Sequence, residues 1–172
     1  MKKILIAAAL VVAALSVPTA LAGTGQRPAA ASPSVVQQAV ALNASGPYAG
    51  SFDTLICLVS NNPAVLETLS QRGQYTVFAP TDAAFSAIGI TSSNCAAAAP
   101  AVTGVLLYHV AHGRRDAAAV VSSTRIRMLN KQFTTISSSS GRYYINNAQI
   151  VATDVLASNG VIHAIDSVLL PS

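Results

Sequence analysis

Charged residues are scarce in this chain of 172 residues. Ten lysines and arginines face six aspartates and glutamates, so charged side chains make up only 9% of the sequence. Such a chain attracts polyanions weakly over long range, and its basic residues are not interleaved with aromatic ones. The composition therefore argues against a nucleic-acid-binding protein.

The chain also lacks the strong catalytic motifs. It contains no Gly-x-Ser-x-Gly, no His-Glu-x-x-His, no phosphate-binding glycine loop and no Cys-x-x-Cys. His109 and His112 invite a metal interpretation, but an odd spacing on a predicted strand sends their rings to opposite faces. His163 and Asp166 share that spacing, and a buried imidazole bonded to backbone is favoured over a general base. We predict no enzymatic activity, no metal and no cofactor.

No stretch after the N-terminus is long and apolar enough to span a bilayer. The first residues combine Lys2 and Lys3 with an apolar run from Ile4 to Leu15 and the small residues Ala20 and Ala22. This is the pattern of a secretory signal peptide. The alternative is a membrane anchor, which needs about 20 apolar residues, and the unbroken run is shorter.

Three segments follow from this composition. We predict a signal peptide over residues 1–22, a flexible lead-in rich in Ala, Gly and Pro over 23–33, and a single domain over 34–172. The mature protein is then secreted or periplasmic, with no stable membrane anchor after cleavage.

Only two cysteines are present, Cys57 and Cys95. An exported chain meets an oxidising compartment, where such a pair closes into a disulfide. We predict this bridge; the alternative is two buried thiols.

The stretch from Gln74 to Ile88 predicts a central strand followed by a short helix. It reads QYTVFAPTDAAFSAI, in which a β-branched and aromatic run predicts a buried strand and a proline ends it. Thr81 and Asp82 are expected to cap a short helix with Phe85 and Ile88 on one face. Before it, apolar residues recur at helical spacing, with Ser51 as a cap for one helix.

From Arg125 onward the pattern changes to strands separated by tight turns. The turns are predicted at the run SSSSG, at Asn146-Asn147 and at Asn159-Gly160, the last two requiring positive φ. Helices first and a meander of strands last predict an α+β domain.

Three motifs resemble the signatures of the fasciclin family in the family's order. They are the TVFAPTD run with its Ala-Phe pair, the Leu107-Tyr108-His109-Val110 motif, and a C-terminal segment from Asn159 to Pro171 that contains His163 and Asp166. The resemblance runs from about Val35 to Pro171. It implies a wedge-shaped β-sandwich flanked by N-terminal and inserted helices, in a protein with one copy of the domain.

The resemblance also implies an extracellular adhesion or interaction module. In animal members, integrin binding is assigned to the tyrosine-histidine motif, and a second assignment is an aspartate-isoleucine pair before the C-terminal signature. Asp154 matches that aspartate here, but Val155 replaces the isoleucine. Packing is favoured over contact for Tyr108 and His109, because a Leu-Leu-Tyr-His-Val run is typical of a buried segment.

Basic residues concentrate between positions 114 and 131. On the predicted strand Arg125 and Arg127 share one face, while Ile126 and Met128 lie on the other. An ordinary solvent-exposed face therefore explains the two arginines as well as an anion-binding site does. The five cations are Arg114, Arg115, Arg125, Arg127 and Lys131.

The sequence thus predicts a secreted, non-catalytic module that binds an extracellular protein or a matrix or cell-surface component. The alternative is a binder of acidic polysaccharide or lipid head groups through the basic region 114–131.

Overall fold

The computed structural model describes residues 32–71 and 73–171. The predicted signal peptide and nearly all of the predicted lead-in lie outside the described residues. Within the described residues, no helix combines the length and apolarity needed to cross a membrane.

Helices dominate the first part of the described chain and strands the last. The helices are α1 Val35–Ala44, α2 Asp53–Ser60, α3 Pro63–Ser70, α4 Asp82–Ser86, α5 Cys95–Ala98, α6 Thr103–Leu107 and α7 Ala117–Ser122. The strands are β1 Tyr75–Pro80, β2 Val110–His112, β3 Arg125–Arg127, β4 Phe133–Ser139, β5 Arg142–Ile145, β6 Ala148–Ala157 and β7 Gly160–Ile165.

The strands form one mixed sheet in the order β2-β1-β7-β6-β5-β4-β3. β1 and β7 run parallel, and the other neighbours are antiparallel. An isolated bridge between Ala111 and Met128 joins the two edges of the sheet, which therefore nearly closes on itself. The predicted α+β class is confirmed, and the expected sandwich is built from one curved sheet.

Two apolar clusters hold the fold together. One packs the helices against β1 and β7 and includes Phe85 and Ile162. The other lies between the two halves of the curved sheet and includes Phe78, Ile126 and Ile165. β7 contributes to both because successive strand residues point to opposite faces, and all its residues are buried.

The Cys57–Cys95 disulfide is confirmed, with the two Cα atoms 6.0 Å apart. Cys95 begins the short helix α5, and the bridge joins that helix to α2.

The segment around the tyrosine-histidine motif differs from its prediction. Pro100 predicts the start of a helix, because proline suits a first helical turn, but α6 begins at Thr103 and Tyr108 is its C-terminal cap. β2 starts only at Val110, so His109 precedes the strand on which we placed it.

Of the two turns predicted to need positive φ, one has it and the other does not. Asn146 has a φ of 52°, as predicted for its turn. The Asn159-Gly160 prediction is wrong, because Ala157 pairs with Gly160 and the turn residues are Ser158 and Asn159. Gly160 is required by packing instead, since a Cβ there would overlap the Tyr75 carbonyl of β1.

The apolar pattern from Val161 to Leu169 predicts one continuous strand, but β7 ends early at Ile165. Its parallel neighbour β1 stops opposite Ile165, and the pairing with β6 stops there too. Asp166 still donates its N–H to the Gln149 carbonyl of β6, and the residues after it leave the sheet.

Candidate functional site

The Asp82 carboxylate caps a helix distant in sequence. Its Oδ1 accepts a hydrogen bond from the Thr54 N–H at 2.8 Å, and its Oδ2 accepts one from the Asp53 N–H at 3.1 Å. Both donors are in the first turn of α2, where backbone N–H groups lack partners and the helix dipole favours a negative charge.

The predicted local capping by Thr81 and Asp82 is therefore wrong. Thr81 occupies the N-cap position of α4 but makes no side-chain cap bond. Ser51 does not cap α2 either, because Phe52 holds that position. Phe85 is buried as predicted, whereas Ile88 is 40% exposed because α4 ends at Ser86.

Replacing Asp82 tests this long-range cap. Asp82→Ala removes both acceptors, and we expect the free energy of unfolding to fall by about 2 kcal/mol in urea denaturation. Asp82→Asn keeps one acceptor oxygen and is expected to lose about half as much. Equal stability of Asp82→Ala and the parent would contradict the capping role.

Tyr108 of the tyrosine-histidine motif is buried. Its ring belongs to the cluster inside the sheet, its hydroxyl donates to the Phe133 carbonyl at 2.9 Å, and the Asn146 amide donates to that hydroxyl. The ring therefore links α6 to β4, and its face is not available to a partner.

His109 is also internal, with both ring nitrogens bonded to backbone. Nδ1–H donates to the Val105 carbonyl at 2.7 Å, and Nε2 accepts from the Leu169 N–H at 2.9 Å. These partners fix one neutral tautomer, and burial lowers the pKa of His109 from 6.5 to about 4. The ring ties the C-terminal segment to the end of α6. Val110 is buried beside it, and Leu107 is half-buried.

His163 has the same kind of environment on β7. Nε2–H donates to the Arg115 carbonyl at 2.9 Å, Nδ1 accepts from the Asp154 N–H, and the ring stacks on Phe78. Burial lowers the pKa of His163 as well. The prediction that this imidazole is buried and backbone-bonded is confirmed.

These two histidines predict an acid-sensitive fold. A histidine whose pKa is lower in the folded state than in the unfolded chain stabilises the fold fully above pH 6.5, its ordinary pKa. That stability is lost as the pH falls toward the pKa of the folded state. For His109, whose pKa drops to about 4, we expect a loss of about 3 kcal/mol between these limits. His163 adds a loss of the same sign.

Urea midpoints measured from pH 7 down to pH 4 would show this loss. The matched control is His112→Gln, because His112 is exposed and its replacement should keep the same acid sensitivity. A midpoint that does not change over this range would contradict the assignment of two neutral histidines.

Asp154, Val155 and Asp166 also serve the fold. Asp154, at φ 60°, lies where the β6–β7 register shifts, and its Oδ1 accepts from the Ala117 N–H at the start of α7. Val155 is half-buried against the helical cluster. Asp166 is exposed and accepts from the Gln149 N–H and the Ser167 hydroxyl. The side chains of Asp154 and Val155 therefore do not form a shared outward pair.

The described residues contain no group of three His, Cys, Asp or Glu side chains placed to hold a metal ion. His109 is internal, while His112 faces outward against the ring of Tyr75. An apolar cavity between the helices and β1 has a volume of about 40 Å³, room for a few water molecules and not for a lipid or a sugar.

The basic region lies on the surface. Arg125 and Arg127 are exposed on one face of β3 and Ile126 is buried on the other, as the alternation predicted. The structure brings three of the five predicted cations to one groove of about 410 Å³, lined by His112, Arg115, Arg127, Met128, Leu129 and Lys131. Arg114 is exposed but does not line the groove.

The sequence did not predict that Phe133 and His112 lie at this surface. Phe133, opposite Arg127 in the β3–β4 pairing, is 50% exposed, and the Arg125 guanidinium lies 4.7 Å from its ring centre. His112 joins the groove from β2. The alternation of Phe133 with Thr134 could have placed that ring outside, but the approach of β2 to β3 has no local signal.

The fold and its internal motifs define the class of protein: an α+β domain whose recognisable residues build its interior. A model of the fasciclin domain matches residues 50–171. The chain belongs to the fasciclin domain family, as the three motifs predicted.

Individual relatives agree with this assignment. The chain is 38% identical over 124 residues to protein sll1483 of Synechocystis, covering 70% of this chain and 68% of that protein. It is 32% identical over 155 residues to the cell surface glycolipoprotein MPB83 of Mycobacterium bovis, covering 78% of this chain and 69% of that one. A solved pair of these domains from the insect cell adhesion molecule Fasciclin I matches with a TM-score of 0.62 and 18% identity, over 81% of this chain and 51% of that chain. This last likeness concerns the fold alone.

Proposed function

We propose that this protein is a secreted adhesion or interaction module that binds an extracellular protein or a matrix component through its surface and catalyses no reaction. Its place of action is outside the cell or in the periplasm.

The main support for this proposal is that Tyr108, His109 and His163 of the signature motifs are buried and hydrogen-bonded within the fold. His109 and His163 have both ring nitrogens bonded to backbone atoms, and Tyr108 is bonded to a carbonyl in the interior. A general acid or base needs a free nitrogen or oxygen within reach of a substrate. Neither histidine offers one, so the motifs support the scaffold and leave recognition to the exterior.

The printed names of two relatives support the same setting. MPB83 is named as a cell surface glycolipoprotein, and Fasciclin I as a cell adhesion molecule. An exported location also agrees with the disulfide, since such bridges persist in oxidising compartments.

Capture from the native extracellular fraction tests the proposal. The immobilised protein, with its disulfide intact, is expected to retain a component saturably, and mass spectrometry should recover that component with its mass unchanged. The protein unfolded by reduction and urea serves as the control. A component recovered cleaved or otherwise modified would overturn the non-catalytic role, and equal capture by the unfolded control would overturn specific binding.

A second candidate ligand class is acidic polysaccharide or lipid head groups bound by the basic region. The convergence of Arg115, Arg127 and Lys131 on one groove favours it.

A further inference from the structure

The groove gathers positive charge that the rest of the described chain does not neutralise. None of the five cations of the basic region forms an ion pair with a carboxylate in the described residues. No carboxylate of the described residues lines the groove, and the carboxylates of Asp116 and Asp154 accept from the Ala119 N–H and the Ala117 N–H. The groove therefore presents a net positive surface in a protein that otherwise has few charges.

Arg115 occupies a fixed position in the wall of the groove. Its N–H donates to the Thr76 hydroxyl at 2.9 Å, and its carbonyl accepts from His163. Two residues of the sheet thus hold its backbone in place. Its Nε is buried and has no hydrogen-bond partner among the described residues, and a buried donor without an acceptor is costly.

Lys131 stands in a backbone conformation that suits glycine better. Its φ is 72°, and its N–H donates to the Met128 carbonyl to close the turn between β3 and β4. A residue with a Cβ is disfavoured there, so the lysine costs stability that a glycine would not. A strained residue at the edge of a charged groove indicates a use for its side chain.

An aromatic platform adjoins the groove. Phe133 exposes half of its surface on the same outward face as Arg125 and Arg127, and Arg125 lies over its ring. An exposed ring of this kind offers an apolar face to the C–H groups of a sugar, while the arginines offer forked donors to carboxylates or sulfates.

We propose that this groove binds a strand of acidic polysaccharide, with Arg115, Arg127 and Lys131 pairing its carboxylates or sulfates and Phe133 stacking on a sugar ring. The inference rests on the proposed interaction function and names the class of its partner. A groove of about 410 Å³ suits a single extended chain. A membrane surface is flat and needs several apolar side chains to enter it, whereas the two apolar side chains that line the groove, Met128 and Leu129, are buried and half-buried.

Calorimetric titration of the intact protein tests the inference. The probes are polygalacturonate, which carries carboxylates, heparin, which carries sulfates, and neutral dextran as the uncharged control. We expect saturable binding of at least one acidic polymer, weakening as the ionic strength rises, and no binding of dextran.

Two variants locate the site. Arg127→Gln combined with Lys131→Gly is expected to weaken binding by about tenfold or more, because each change removes one charged partner of the polymer. Arg142→Gln removes one positive charge from β5, opposite Ser139 at the far end of β4 and about 20 Å along that strand from Phe133, and should change the affinity by less than about twofold. Lys131→Gly alone should raise the thermal midpoint while weakening binding, so loss of folding would not explain the result.

The possible results distinguish failure of this polysaccharide site from failure of the proposed interaction function. Absence of binding to both acidic polymers, or binding that the double variant keeps, overturns the inference. Binding to phosphatidylglycerol vesicles without binding to either polymer also overturns it and indicates a lipid surface. If the protein still captures its extracellular component in any of these cases, the interaction function stands without this site.

Discussion

His109→Ala is expected to lower the free energy of unfolding by about 4 kcal/mol. The substitution leaves a void in the interior and removes the partner of the buried Leu169 N–H, which donates to Nε2. It also removes one of the two donors to the Val105 carbonyl, which keeps the bond from the Tyr108 N–H. Urea denaturation at pH 7 measures the loss. Tyr108→Phe is the matched control, because it keeps the neighbouring ring and removes only the two hydrogen bonds of the hydroxyl, to the Phe133 carbonyl and from the Asn146 amide, with an expected cost of about 2 kcal/mol.

The same pair of variants tests the role assigned to the motif. If His109 only supports the interior, partner binding per folded molecule should be unchanged in both variants. Folded concentration is set by circular dichroism, and binding is measured against the captured extracellular component. Unchanged stability together with lost binding would instead make the motif a contact site.

Removing the disulfide is expected to cause the second large loss in the free energy of unfolding. A Cys57→Ala, Cys95→Ala double variant is expected to lose about 4 kcal/mol, because the bridge closes a loop with a sequence separation of 38 residues and so limits the unfolded chain. It also leaves α5, a helix of four residues, without its covalent tie to α2. Chemical denaturation with and without a reducing agent measures the change.

The reducing agent supplies the control for that variant. It should destabilise the parent by a similar amount and leave the double variant unchanged. Coincident denaturation curves for the parent and the double variant would contradict the stabilising role of the bridge.

Local patterns predicted much of this fold because they report which face of an element is buried. The alternation Arg125-Ile126-Arg127 correctly placed both arginines outside, and the position of Asp116 before an apolar helical run predicts the cap of α7 that its side chain makes. Asp82 shows where such reasoning fails. Its position before a short helix indicates a local cap, yet its two oxygens accept from Asp53 and Thr54 in the first turn of α2, 29 and 28 residues earlier in the chain. Composition does not reveal which helix end lies closest in space.

Local sequence patterns also could not predict the candidate groove. Five cations in one stretch of sequence indicate a basic region, but the stretch passes through a loop, α7, β3 and a turn. Whether the charges diverge or converge depends on the near closure of the sheet, where Ala111 meets Met128 and brings His112 beside Arg127 and Lys131.

The sequence by itself determined the family, the α+β class, the paired cysteines and the burial of Tyr108, because motifs and hydrophobic spacing are properties of neighbouring residues. Only the tertiary structure decided which backbone groups the buried polar side chains satisfy and which cations share one groove. Those contacts join segments far apart in the chain, and their geometry follows from how one curved sheet brings its edges together.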